Sequence, residues 1–154
     1  MQLWRPAARR PKRPHAVSES ERILGALESA HDRLTECLER LDEVTGQLTP
    51  DGQRHACCRR DLAEAKQERA AAVQAAFDYL SEHVTAEQTG ELEGVRLLGQ
   101  QTLLVSAEHV RSWPADSIAW HWSHYHAASR AVRSHWLDLI EAEQRVLCRL
   151  LRAL

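Results

Sequence analysis

Between Ile23 and Leu48 the apolar residues recur without a fault. Ile23, Leu27, Ala30, Leu34, Cys37, Leu41, Val44 and Leu48 follow one another at alternating steps of four and three. That rhythm places all eight on one seam of a helix, and a helix with such a seam must bury it against other helices. Leu24, His31 and Leu38 lie one step to the side and widen the buried strip. Ser18 or Ser20 can cap the start.

The remaining 106 residues after Leu48, within a chain of 154, offer three more helices. Proline marks the boundaries, because it starts a helix readily and breaks one in its interior. A second helix is predicted from near Pro50, capped by Thr49, or from Asp61, to about Val84. Its inner face carries Leu62, Val73, Ala76, Phe77 and Leu80, and Arg69 falls close enough to need a carboxylate partner or a route to water. A third runs from about Glu87 to Trp113, with Leu92, Val95, Leu98, Leu103, Val105 and Val110 inside. Gly90, Gly94 and Gly99 weaken its first half. A fourth runs from Ala115 towards the C-terminus, with Ile118, Trp122, Tyr125, Val132, Trp136, Leu139, Val146, Leu150 and Ala153 on its stripe. Ala, Leu, Glu and Arg dominate, all good helix formers. No alternating run or hairpin signal suggests a strand. The predicted fold is all-α: an antiparallel up-down-up-down four-helix bundle with long coiled-coil-like helices. Residues 1–17 form a basic Pro/Arg-rich N-terminal arm and residues 18–154 the bundle.

Charge is unevenly spread. Residues 1–14 carry Arg5, Arg9, Arg10, Lys12 and Arg13 and no acid, so with a formal net charge of −2 the remainder carries −7. An anionic partner for the arm is one reading, and a solvated tail is the other. The arm has no apolar core of a secretory signal, and Pro6, Pro11 and Pro14 spoil the amphipathic helix of a mitochondrial presequence. No apolar run approaches a membrane span. Cys37, Cys57, Cys58 and Cys148 are irregularly spaced and fit buried thiols better than a disulfide framework. The expectation is a cytoplasmic protein without a membrane.

Four of the nine histidines fall in "HWSHYHAASRAVRSH", His121 to His135. Counted from the end that holds Pro50 and Pro114, His31 is about eighteen residues away and His135 about twenty, so the two are roughly level at 1.5 Å per residue. Glu28 precedes His31 by three and Asp138 follows His135 by three, each pair on one helix face. Glu68 and Glu93 lie near the same height. Carboxylates and imidazoles projecting inward would suit a di-iron or di-manganese centre. Boundary histidines beside surface acids is the plainer reading. Nearer the shared end, Cys37, His55, Cys57, Cys58, His109, His121 and His124 offer sulfur and nitrogen for zinc, though no Cys-x-x-Cys occurs.

His83-Val-Thr-Ala-Glu87, after "YLSEH", resembles the His-x-x-x-Glu element of haemerythrin-like bundles. "AHDRLTECLERL" around His31 resembles the first helix of that family. The resemblance covers some ten residues of the second element and implies a metal-binding bundle of haemerythrin/ferritin-like type. Two features depart from it: His83 sits far from the His31 level, and Leu139 stands where "LIEAEQ" aligns with "HVTAEQ".

No nucleophile motif, phosphate loop or dinucleotide fingerprint is present in the sequence. Catalysis therefore reduces to the metal readings, and the enzyme question leans towards no. The contact reading draws on the seam, the long helices and the tryptophans. Trp120 and Trp122 are roughly 200° apart round a helix, so one of them should be exposed or at an interface. The expected function is a non-catalytic helical assembly subunit with a protein partner or a homo-oligomer. Its contact residues would be Arg5, Arg9, Arg10, Arg13, Trp120, Trp122, Arg130 and Arg133. The low-ranked metal set is Glu28, His31, His135, Asp138, His121 and His124, for Fe/Mn or Zn. A third reading is a small Arg-rich subunit of a nucleoprotein complex, similar in size and class to small helical subunits of RNA-guided effector complexes.

Overall fold

A computed structural model describes residues 17–154. Among them the chain is all-helical. α1 spans Glu19–Thr45, α2 Gly52–Ser81 and α3 Ala86–Ser112. The last helix is interrupted. It opens with a single turn, α4 (Ala115–Ile118), passes through a 3₁₀ segment at Ala119–His121, and continues as α5 (Trp122–Glu143). A π-helical turn over Gln144–Cys148 then leads into α6 (Arg149–Arg152).

Local chemistry explains the boundaries. Ser18 caps α1 through a reciprocal box: the Glu21 amide donates to Ser18 Oγ at 3.1 Å and the Ser18 amide to Glu21 Oε2 at 2.7 Å. Asp51, not Thr49, caps α2 and accepts from the Arg54 amide at 3.0 Å. The early start of α2 is thus the observed one. Thr85 and Gln88 box the start of α3, at 2.9 and 3.4 Å.

Seven of the eight seam residues of α1 are buried; Leu48 lies beyond the helix end and is fully exposed. The α2 stripe is buried as expected. The α3 stripe is not. Leu92 and Val95 are inside, but the second half turns Thr102 and Ser106 inward and leaves Leu103 and Val110 55% and 54% exposed. The last helix follows its stripe through Leu139. Beyond that point the wide π turn carries the buried face one position along, so Leu147, Cys148, Leu150 and Leu151 are inside while Val146 is half-buried and Ala153 exposed.

The core divides in two. One apolar cluster holds Leu34, Leu38, Leu41, Leu62, Trp122, Tyr125, Trp136 and Leu139. The other holds Ile23, Leu27, Val73, Phe77, Leu80, Leu92, Leu147 and Leu151. Between them along the helices lie three buried polar residues: His31 on α1, Arg69 on α2 and Glu143 at the end of α5.

Candidate functional site

His31, Arg69 and Glu143 form one hydrogen-bonded group. Arg69 Nε donates to Glu143 Oε2 at 3.0 Å, and Arg69 Nη2 donates to Oε1, so one edge of the guanidinium grips both carboxylate oxygens. His31 Nε2 lies 2.8 Å from Oε2. A carboxylate only accepts, so Nε2 bears the proton. The other ring nitrogen, Nδ1, is buried with no partner. Arg69 thus meets the carboxylate its position demands, and that carboxylate stands on the first residue before the π turn. Leu139, Glu143 and Val146 follow in steps of four and three, which marks Glu143 as an inner-face acid. The same logic marks Lys66, which falls between Leu62 and Arg69 on the α2 stripe. Apolar periodicity passes over both, because it follows only the apolar residues of a stripe.

Beside this group, α1, α2, α3 and α5 enclose a cavity of about 400 Å³. α1 and α2 lie against each other along their length, and α3 rests on α5. Leu38, Leu41, Leu62, Val132, Trp113 and Trp136 supply most of its apolar wall. Tyr125 is the hub of the aromatic side. His109 stacks on its ring at 5.5 Å between centroids, Trp113 meets it edge-on at 5.4 Å, and His55 Nε2 lies 2.9 Å from its hydroxyl. The polar lining is mostly cationic or neutral: Lys66, Arg59, Arg133, His109, Ser106 and Ser129, with Asp42 as the acid. Lys66 Nζ donates to Ser106 Oγ at 3.0 Å and sits 4.8 Å from the Trp136 ring centroid.

The titration of these groups follows from burial and from like charge. Burial lowers the Lys66 ammonium to about 8, with Arg59 adding repulsion. His109 is lowered by burial and then by Lys66 and Arg59. His55 is lowered by burial and by Arg59. Burial raises the Tyr125 phenol. Lys66, Arg59 and Arg133 outnumber the one acid, Asp42, on this apolar and aromatic lining.

The residues expected to bind metal are scattered. His31 is occupied by Glu143, and Glu28 pairs with Arg152 at the surface. His135 and Asp138 are exposed on α5. His121 and His124 are exposed, with ring centroids 6.4 Å apart. Among the described residues, no three of His, Cys, Asp and Glu converge in a way that could hold a metal ion. His83 lies in the turn after α2 and Glu87 in the first turn of α3, on either side of the Thr85 cap, so their spacing does not place them on one helix face. Leu139 is core.

Of the expected contact residues, Trp120 is 86% exposed. Trp122 is in the core instead, its indole N–H donating to the Gln47 carbonyl at 2.8 Å. Arg130 is exposed and lies 3.6 Å from Asp42, whereas Arg133 is half-buried and lines the cavity. Arg5, Arg9, Arg10 and Arg13 lie outside the described residues. No described helix is long and apolar enough to cross a membrane. Compared with protein-family models, with curated proteins and with solved structures, the chain matches none.

Proposed function

We propose that this protein is a non-catalytic helical assembly subunit that acts through protein contacts, first of all with a second copy of itself. One observation carries the reading: α3 bears apolar side chains in water. Leu97 is 50% exposed, Leu103 55%, Leu104 72% and Val110 54%. Leu97 and Leu104 are seven residues apart, as are Leu103 and Val110, so they form two adjacent rows on one helix. Nothing lies within 4 Å of where a Cβ would stand on Gly90 or Gly94, two turns and one turn before Leu97, which leaves room for a close helix approach. A row of this kind is self-complementary under a two-fold axis. Exposed Trp120 adds an anchor residue of the type that concentrates binding energy at interfaces.

The reading also takes the four helices as running alternately up and down. The ion pairs support this. Arg33 pairs with Glu64 at 3.4 Å and Arg40 with Asp61 at 3.1 Å, so position rises on α1 as it falls on α2. The cytoplasm, where free thiols persist, suits the four unpaired cysteines. An anionic partner remains the proposed role of the arginine arm.

Sedimentation equilibrium of the full chain from about 1 to 200 μM tests the proposal. Self-association that Leu104→Glu abolishes, with helical circular dichroism unchanged, is the expected result. A monomer across the whole range would refute the self-assembly reading.

A further inference from the structure

Among the described residues, the cations on the cavity lining have no anion of their own. Lys66 hydrogen-bonds only to the neutral Ser106 hydroxyl, and no carboxylate among the described residues comes within ion-pair distance of it, of Arg59 or of Arg133. Arg133 Nε is buried and without a partner. So is the indole N–H of Trp136, a side chain only 1% exposed. The acid on the lining, Asp42, lies 3.6 Å from Arg130 and 4.0 Å from His126, and its Oδ1 is also buried without a hydrogen-bond partner. Buried donors left unsatisfied are costly, and two of them on residues of one lining, beside cations without a carboxylate partner, favour an acceptor there.

Shape and charge together define that acceptor. At about 400 Å³ the cavity falls within the range of small-molecule pockets. Its walls are Trp113, Tyr125, Trp136 and aliphatic side chains, which suit a flat apolar body. A doubly charged phosphate would be poorly matched to so apolar a lining, whereas a single negative charge loses less hydration and is compensated by the cations it meets. We infer that this cavity is a binding site for an amphipathic organic carboxylate, its apolar body against Trp113, Tyr125 and Trp136 and its carboxylate facing Lys66 and Arg133. The site meets the α3 surface proposed for assembly only at Val110, which belongs to both.

Isothermal titration of the full chain at pH 7 with 2-naphthoate tests the assignment, with 2-naphthamide as the uncharged analogue of the same shape. The expected result is one naphthoate per chain, bound at least tenfold more tightly than the amide. Lys66→Met and Arg133→Met should each weaken naphthoate about tenfold and leave the amide unchanged. Trp136→Phe, which keeps an aromatic ring but removes the N–H, should cost a few-fold. Circular dichroism verifies folding, and Arg133→Met decides the matter if Lys66→Met does not fold. Equal binding of acid and amide overturns the assignment. So does naphthoate affinity untouched by these variants, or no binding at millimolar concentration. Displacement of naphthoate by inorganic phosphate alone would make the site a simple anion pocket and overturn the amphipathic class.

Discussion

Arg69 and Glu143 join α2 to the end of α5 through one edge of the guanidinium and both carboxylate oxygens, with Nε 3.0 Å from Oε2 and both side chains out of water. An isolated charge at either position would be severely unfavourable, so the pair stands or falls together.

The consequence for stability is asymmetric. Glu143→Gln leaves Arg69 charged and unmatched and should cost about 3–5 kcal/mol in urea unfolding. The triple variant His31→Leu, Arg69→Met, Glu143→Leu removes the whole polar group and should come within about 2 kcal/mol of the parent or exceed it. A single variant as stable as the parent would show that the group is not energetically coupled.

Lys66 makes alkaline pH informative. Its ammonium falls from 10.5 in the unfolded chain to about 8 in the folded one. Folding therefore carries a burial penalty of about 3 kcal/mol below pH 8, which is relieved as pH rises from 8 to 10.5 because the folded state gives up its proton first. The groups around it are Asp42 on α1, Arg59 on α2, His109 on α3, and Tyr125 and Arg133 on α5. Lys66→Met should be more stable than the parent at pH 7, by up to that amount less the lost Ser106 bond. The difference should shrink by pH 10, and a difference independent of pH would contradict the assignment. Cys148, raised to about 11 by burial, opposes the trend in both proteins above pH 9 and cancels from the comparison.

Acid acts through the histidines beside Tyr125. His55 and His109 both have lowered folded values, so the unfolded chain takes protons first as pH drops below 6.5. Stability should be full near pH 7 and decline towards pH 5. The urea midpoint should fall less steeply with acid in His55→Gln than in the parent.

Trp120 and Trp122 should separate cleanly. Trp120→Ala removes a side chain that is mostly in water and should leave the thermal midpoint within a degree or two while weakening self-association. Trp122→Ala empties a core site and loses the bond to Gln47, at a cost of about 3–5 kcal/mol. Equal stability of the two variants would refute the placement.

The thiols offer a chemical check on burial. Cys57 is exposed, while Cys37, Cys58 and Cys148 are buried. Iodoacetamide should label one thiol in the native protein and four after denaturation, counted by intact mass.

The helices were legible from the chain because apolar spacing and proline placement are local signals. The α1 seam and the α2 stripe correspond closely to what is buried. The α3 stripe failed because the same spacing describes a face turned to water as well as one turned inward. Leu103 and Val110 are as apolar as Leu92, and only the neighbouring helices decide which face is covered. The π turn has no signature in residue type, so the inner face beyond Glu143 came out one residue early. The partners of Lys66 and Arg69 were equally hidden, since they lie 40 and 74 positions away in sequence. The cavity, assembled from four helices, is visible only once they are packed.

The π turn has a further consequence for how the last helix tolerates change. It separates a stretch that walls the cavity from a stretch that seals the opposite apolar cluster, and the two are phased independently. A one-residue deletion within Gln144–Cys148 could be absorbed as an ordinary α turn. The segment beyond would then keep its buried face, because Leu147 and Leu151 would fall three and seven positions after Glu143, on the stripe that Leu139 and Glu143 begin. Loss of one residue at that turn would spare both halves of the protein, whereas the same loss within α5 would put them out of phase.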